Sequence, residues 1–139
     1  SGQFPQYSHI IHSFQDDWEQ SLEGTFEESV ELLKLLKQNG YPIFGLSNWS
    51  AETFPIARKR FDFFELFEGM IISGEVRLIK PAPAIFELCL KMVRKPAHEC
   101  LFIDDSEKNI LTAEHLGFET ILFRSPGQLK RELQLRNLL

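Results

Sequence analysis

Cys100-Leu101-Phe102-Ile103-Asp104-Asp105-Ser106-Glu107-Lys108-Asn109 is an apolar run of strand length that stops at two adjacent carboxylates and passes at once to a helix-capping serine. In an open parallel α/β sheet, ligands bind just beyond the carboxyl ends of the strands. A strand that ends in Asp104-Asp105 therefore sets two hard oxygen donors where a magnesium ion would sit. The plainer reading is an acidic turn that favours the N-terminus of the next helix. The doublet alone leaves both open, and Ser47 and Lys80, which also punctuate apolar runs, bear on the choice.

The chain has 139 residues, enough for one domain, with 43% hydrophobic and 25% charged residues, as in an ordinary globular protein. A formal net charge of −5 argues against nucleic acid or an anionic membrane as a partner. No apolar run approaches the ~20 residues that span a bilayer, and no secretory signal is visible. Cys89 and Cys100 lie in apolar segments rather than in a metal-ligand or disulfide pattern, which points to a reduced, cytoplasmic setting. The chain starts Ser1-Gly2 rather than with methionine, so a processed or partial chain is expected.

Residues 3–24 read as a polar-aromatic helical piece, with Ile10, Ile11, Phe14 and Trp18 at helix-compatible spacing. His9 and His12 would share a face of that helix, but nothing nearby supplies further metal ligands of the usual kind. Thr25 and Glu28 form a capping box that opens a helix with Val30, Leu32, Leu33, Leu35 and Leu36 on its apolar face, closed by Asn39-Gly40. Ile43 to Leu46 is a short buried strand ending at Ser47-Asn48-Trp49-Ser50, and Ser50 caps a helix of about 51–60. Phe61, Phe63, Phe64 and Phe67 form an aromatic patch best read as core. Met70 to Ile72 is a third strand, nearer a sheet edge, and the loop from Ser73 to Ile79 leads to Lys80-Pro81-Ala82-Pro83 and a helix to about Arg94. After the opening stretch, Ser106 caps a helix with Ile110, Leu111 and Leu116 on its inner face, ending at Gly117. Thr120 to Phe123 is the last strand, and Ser125-Pro126 starts a terminal helix.

Helices alternating with strands imply right-handed βαβ units and a parallel sheet covered on both faces. Ser47 and the aspartates then lie at one edge of the sheet, and Lys80 can reach back to it. A hydroxyl, an ammonium and a carboxylate-bound cation together suit a dianionic phosphoryl group, because the cations neutralise charge while the hydroxyl orients oxygens.

Leu46-Ser47-Asn48, Ile79-Lys80-Pro81 and Phe102-Ile103-Asp104-Asp105, in this order within residues 25–124, resemble the second, third and fourth motifs of the haloacid dehalogenase superfamily. The likeness is closest to the subfamily with a helical cap between its first two motifs. It implies a Rossmann-like α/β core over residues 25–139, with residues 1–24 as the end of the cap. It also implies an Mg2+-dependent phosphatase acting on a small phosphorylated metabolite through an aspartyl-phosphate. Ser47 and Asn48 would contact the phosphoryl group or substrate, and Lys80 would steady the nucleophile and the transferring group. Asp105 with Asp104 would hold Mg2+. A 2-haloacid dehalogenase, which needs no metal, is the alternative enzyme, but its relatives tend to lose an aspartate of the fourth motif, and here the pair is intact. A truncated, non-catalytic binding protein is the alternative outside enzymes. A receiver domain is excluded by order, since its acidic pair comes first and its lysine late.

The family's first motif, Asp-x-Asp after an apolar strand, has no match. Asp16-Asp17 stands in helical surroundings, and Asp62 lies in the aromatic patch with no second aspartate at the right spacing. The resemblance puts the first strand mid-sheet, between those ending at Ser47 and Asp104. Its loss would orphan backbone groups at ~1–3 kcal/mol each, against a domain stability of ~5–15 kcal/mol. The expectation is therefore an incomplete core, inactive by itself, the C-terminal portion of a longer enzyme whose central strand and nucleophile come from an N-terminal segment outside this sequence or from another polypeptide.

Overall fold

The computed structural model describes residues 9–14, 23–47, 65–76, 80 and 82–139. Within them the chain runs β1 (His9–Phe14), α1 (Glu23–Gln38), β2 (Ile43–Ser47), β3 (Gly69–Ile72), α2 (Ser73–Val76), α3 (Pro83–Val93), β4 (Cys100–Asp104), α4 (Glu107–His115), β5 (Glu119–Leu122) and α5 (Pro126–Leu135). The strands form one five-stranded sheet in the order β3-β2-β1-β4-β5, and every neighbouring pair is parallel. The α/β class expected from the alternation is the class observed.

β2 and β4 are buried at all five of their positions, as strands covered on both faces must be. Successive side chains of a strand point to opposite faces, and the core divides accordingly. Ile10, Ile43, Leu101 and Ile103 pack with Leu32, Leu33 and Leu36 of α1 and with Leu129 and Leu133 of α5. Ile11, Phe44, Leu46 and Phe102 pack on the other face with Ile85, Phe86, Cys89 and Val93 of α3 and with Ile110 and Ala113 of α4. Phe86 meets Phe102 nearly edge-on, with ring centroids 5.1 Å apart.

The helical reading of residues 3–24 fails at His9–Phe14. That segment is the central strand, pairing Ile10 with Ile43 and Phe14 with Ser47 on one side, and His9 with Cys100 and His12 with Ile103 on the other. A strand is thus required between β2 and β4, but it comes from this chain and not from another polypeptide or an unseen segment. The physical reason is the slot itself: two flanking strands offer ladders on both sides, and Ile10 and Ile11 reach zero exposure in opposite core layers. Neither reward exists for an isolated helical turn. His9 and His12 therefore share a strand and not a helix face, and the His9 ring stacks on Phe44 at 5.6 Å. Residues 1–8 and 15–22 of the expected cap segment, Asp16 and Asp17 among them, lie outside the described residues, as do Asn48, the expected helix at 51–60 and Phe61 to Phe64.

Smaller differences have local causes. α1 begins at Glu23, so Thr25 lies inside its first turn rather than capping it. The loop after β3 opens with a single helical turn, Ser73–Val76. α3 ends where Arg94 turns left-handed (φ 59°) and donates its N–H to Leu90 O. On α4, Ile110 is buried but Leu111 is 56% exposed, because Asn109 and Ala113 take the inward positions beside it. β3 is an edge strand, as its shortness suggested, and Phe67 belongs to the core.

Candidate active site

Parallel strands end at a common edge, and β2 and β4 deliver Ser47 and Asp104 to it as their last residues. Ser47 is in register with Phe14 of β1 and Ile72 of β3, and Asp104 with Leu122 of β5. β1 runs between them. Among the described residues the buried polar side chains are Ser47, Lys80, Asp104 and Asn109. Burial of polar groups is costly unless they are paired, so their gathering at or near one sheet edge is informative.

Lys80 lies in the turn before α3 and reaches Asp104, with Nζ 3.6 Å from Oδ2 and neither side chain exposed. Asp104 Oδ1 accepts the backbone N–H of Ser106 at 3.0 Å, and Oδ2 accepts from Asn109 Nδ2 at 2.8 Å. The cap of α4 sets both donors: Ser106 Oγ accepts the Asn109 N–H at 3.4 Å, which turns the first helical residues back over the end of β4. Three donors thus converge on one buried carboxylate.

Burial holds the Lys80 ammonium below the usual lysine range, and the adjacent Asp104 opposes that shift. The Asp105 carboxyl is raised, first by desolvation, then by its hydrogen bond to Asp104 and by that neighbour's charge. Asp105 is nevertheless the solvent-exposed member of the doublet.

The structure thus brings Lys80 and Asp104 into an ion pair and places Ser47 at the same edge. Asp105 adjoins them, and Asn48 lies outside the described residues. Asn109 was missed by sequence reasoning. Its signal was available: an asparagine three residues after a capping serine, in a first helical turn that starts directly after a strand, is aimed back at the strand end.

Magnesium binds through one or two carboxylates and retains several waters, rather than requiring an all-protein cage. Among the described residues no group of three or more His, Cys, Asp or Glu side chains is gathered for a metal. Asp104 and Asp105 stand adjacent at the end of β4, and hard carboxylate donors at a strand end are of the kind that fits a hard divalent cation.

Fold and site together define a Rossmann-like α/β core whose carboxyl edge carries a hydroxyl, a buried ammonium and paired carboxylates. The model of the haloacid dehalogenase-like hydrolase family matches residues 8–117, and the chain belongs to that family. Among curated proteins it is 30% identical to a drimenol cyclase of Aspergillus calidoustus, over 81% of this chain and 21% of that protein. It is also 30% identical to a sesquiterpene phosphatase of Aspergillus oryzae, over 63% and 45% of the two chains. An (S)-2-haloacid dehalogenase of Pseudomonas is 28% identical over 68% and 41%. The chain spans less than half the length of each of these relatives. A family enzyme from Bacteroides thetaiotaomicron, solved with magnesium and inorganic phosphate, is 30% identical with a TM-score of 0.61, covering 70% of this chain and 52% of that one. A protein from Corynebacterium glutamicum superposes over 95% and 96% of the two chains, with a TM-score of 0.75 at 21% identity, a likeness of fold alone.

Proposed function

We propose that this chain carries the phosphoryl-binding edge of a Mg2+-dependent phosphatase that acts on a small phosphorylated metabolite. The observation that carries this reading is the buried Lys80–Asp104 pair, 3.6 Å apart at the end of β4. A buried ion pair is poor at stabilising a fold, since desolvation offsets most of its attraction. Its placement at the ligand-binding edge of a parallel sheet gives it a chemical use instead.

In this reading Lys80 meets the anionic phosphoryl oxygens and reduces the repulsion that opposes an anionic nucleophile. Ser47 and Asn48 orient the same group by hydrogen bonding. Asp104 holds Lys80 in place, and Asp104 and Asp105 hold the Mg2+. That cation would supply charge neutralisation at the transferring phosphoryl group. The sequence of β1, HIIHSF, contains no aspartate, so none of its own residues is the attacking carboxylate of the family mechanism. Support comes from the phosphatase among the relatives and from the magnesium and phosphate held by the Bacteroides enzyme. A cytoplasmic setting is part of the proposal, consistent with two free, buried cysteines. Among the described residues no helix is long and apolar enough to cross a membrane.

The second reading, a haloacid dehalogenase, draws on the Pseudomonas relative. The intact Asp104-Asp105 doublet favours the first. Assay of the complete enzyme, with the segment that carries its nucleophile, against a panel of phosphate monoesters, with Mg2+ and with excess chelator, separates them. Phosphate release that requires Mg2+ is expected. Halide release from a 2-haloacid, unaffected by chelator, would overturn the proposal in favour of the second reading.

A further inference from the structure

The central strand ends among the site residues, and the chemistry proposed above gives its serine no task. β1 pairs Ser13 with Leu46 and Phe14 with Ser47 on one side, and His12 with Ile103 on the other. One further step along the parallel strands sets Ser13 level with Asp104, and neighbouring strands lie ~4.8 Å apart. Residue 13 is therefore held at the carboxyl edge, between the strand that ends in Ser47 and the strand that ends in Asp104.

Its face follows from the strand period. Ile11 and its register partner Phe102 are buried in the layer formed with α3 and α4. Ser13 and Asp104, each two residues further on, fall on that same face. The Asp104 carboxylate agrees, since it accepts from Asn109 of α4. Ser47 stands four residues beyond Ile43 of the α1/α5 layer and falls on the opposite face. A phosphoryl group bound at the Asp104 end of β4, on the α3/α4 face, thus meets a serine of the central strand at a position that Ser47 does not share.

We infer that Ser13 is a substrate-binding residue, whose hydroxyl donates a hydrogen bond to an oxygen of the phosphoryl group bound at this edge. A strand with a ladder on each side is a rigid mount, and a directional donor on it fixes the orientation of the group as charge alone does not. The inference rests on the phosphoryl-binding reading above and adds a residue to it. The competing use of a serine at a strand end is to start a turn, and the experiment separates the two.

The test uses the complete enzyme, with inorganic phosphate as a competitive inhibitor of p-nitrophenyl phosphate hydrolysis at saturating Mg2+. Ser13→Ala is expected to raise the inhibition constant about 10- to 100-fold, the loss of one hydrogen bond to a charged group. Ser13→Thr keeps the hydroxyl and should stay near the wild-type value. The melting temperature and the Mg2+ concentration that gives half-maximal activity should change little in either variant. A turn-starting serine predicts the reverse, a lower melting temperature with phosphate inhibition unchanged. A folded Ser13→Ala enzyme with the wild-type inhibition constant would overturn the inference and leave the functional reading standing. A wild-type enzyme that neither hydrolyses phosphate monoesters nor binds inorganic phosphate would reject that reading, and the inference with it. Should the alanine variant not fold, Ser13→Cys, of similar size with a weak donor, is judged by the same inhibition constant.

Discussion

Lys80 Nζ and Asp104 Oδ2 lie 3.6 Å apart with both side chains fully buried, although 24 positions separate the two residues in the chain. Neither charge belongs in an apolar interior by itself. Burial depresses the lysine's proton affinity and Asp104 restores part of it.

Lys80→Met is therefore expected to act on turnover and stability together. In the complete enzyme, removing the ammonium should lower kcat by about 100-fold or more, and it leaves Asp104 buried without the Lys80 charge, which costs about 3–5 kcal/mol. The double variant Lys80→Met with Asp104→Asn separates the two effects. It should recover part of the stability in urea unfolding and none of the activity. Near-normal turnover in Lys80→Met would show that the lysine serves only as a counter-charge.

Magnesium dependence is expected to follow the exposed member of the doublet. Asp105→Asn should abolish activation by Mg2+ along with activity, while the melting temperature of the metal-free protein changes little. Full activity of the complete wild-type enzyme in excess chelator would reject the assignment of Asp104 and Asp105 to the metal.

The central position of β1 predicts a stability contrast. Ile10 has no exposed surface and packs between α1 and the sheet, whereas Leu135 near the end of α5 is 79% exposed. Ile10→Ala should cost about 2–5 kcal/mol, and Leu135→Ala should stay within about 0.5 kcal/mol. Equal, small effects would remove His9–Phe14 from the middle of the sheet.

The cysteines give a pH signature. Burial pushes the Cys89 thiol up to about 12 and the Cys100 thiol up to about 11, against ~8.5 in an unfolded chain. Between these values the folded state binds more protons than the unfolded one. The stability they contribute is therefore complete below about pH 8 and is lost as pH rises toward the folded values. Urea midpoints should fall between pH 8 and pH 10.5, and less steeply in Cys89→Ala. At pH 8 both thiols should react slowly with an alkylating reagent until the chain is unfolded; rapid labelling of native protein would contradict their burial.

Much of the site was legible because it is written in short, local patterns. Ser106 caps α4 and Ser125 caps α5 through the side-chain contacts their positions suggested. Ser47 and Asp104 could be placed because an apolar run that ends in a polar residue marks a strand terminus, and parallel strands share an edge. Asn109 was not read, because its role depends on which face of the first helical turn meets the strand end.

By itself, then, the sequence determined the alternation of elements, the parallel sheet and the residues at its carboxyl edge, since periodicity and capping act over a few positions. The tertiary structure decided the rest. Ile10-Ile11-His12-Ser13-Phe14 suits a helical turn or a short strand by pattern, and only the open ladders of Ile43–Ser47 and Cys100–Asp104 on either side make it extended. Short apolar segments carry little conformational preference of their own, so they take the form that pairs their backbone and buries both faces. The Lys80–Asp104–Asn109 cluster is of the same kind: its distances arise from a turn, a strand and a helix brought together by packing, which no local pattern specifies.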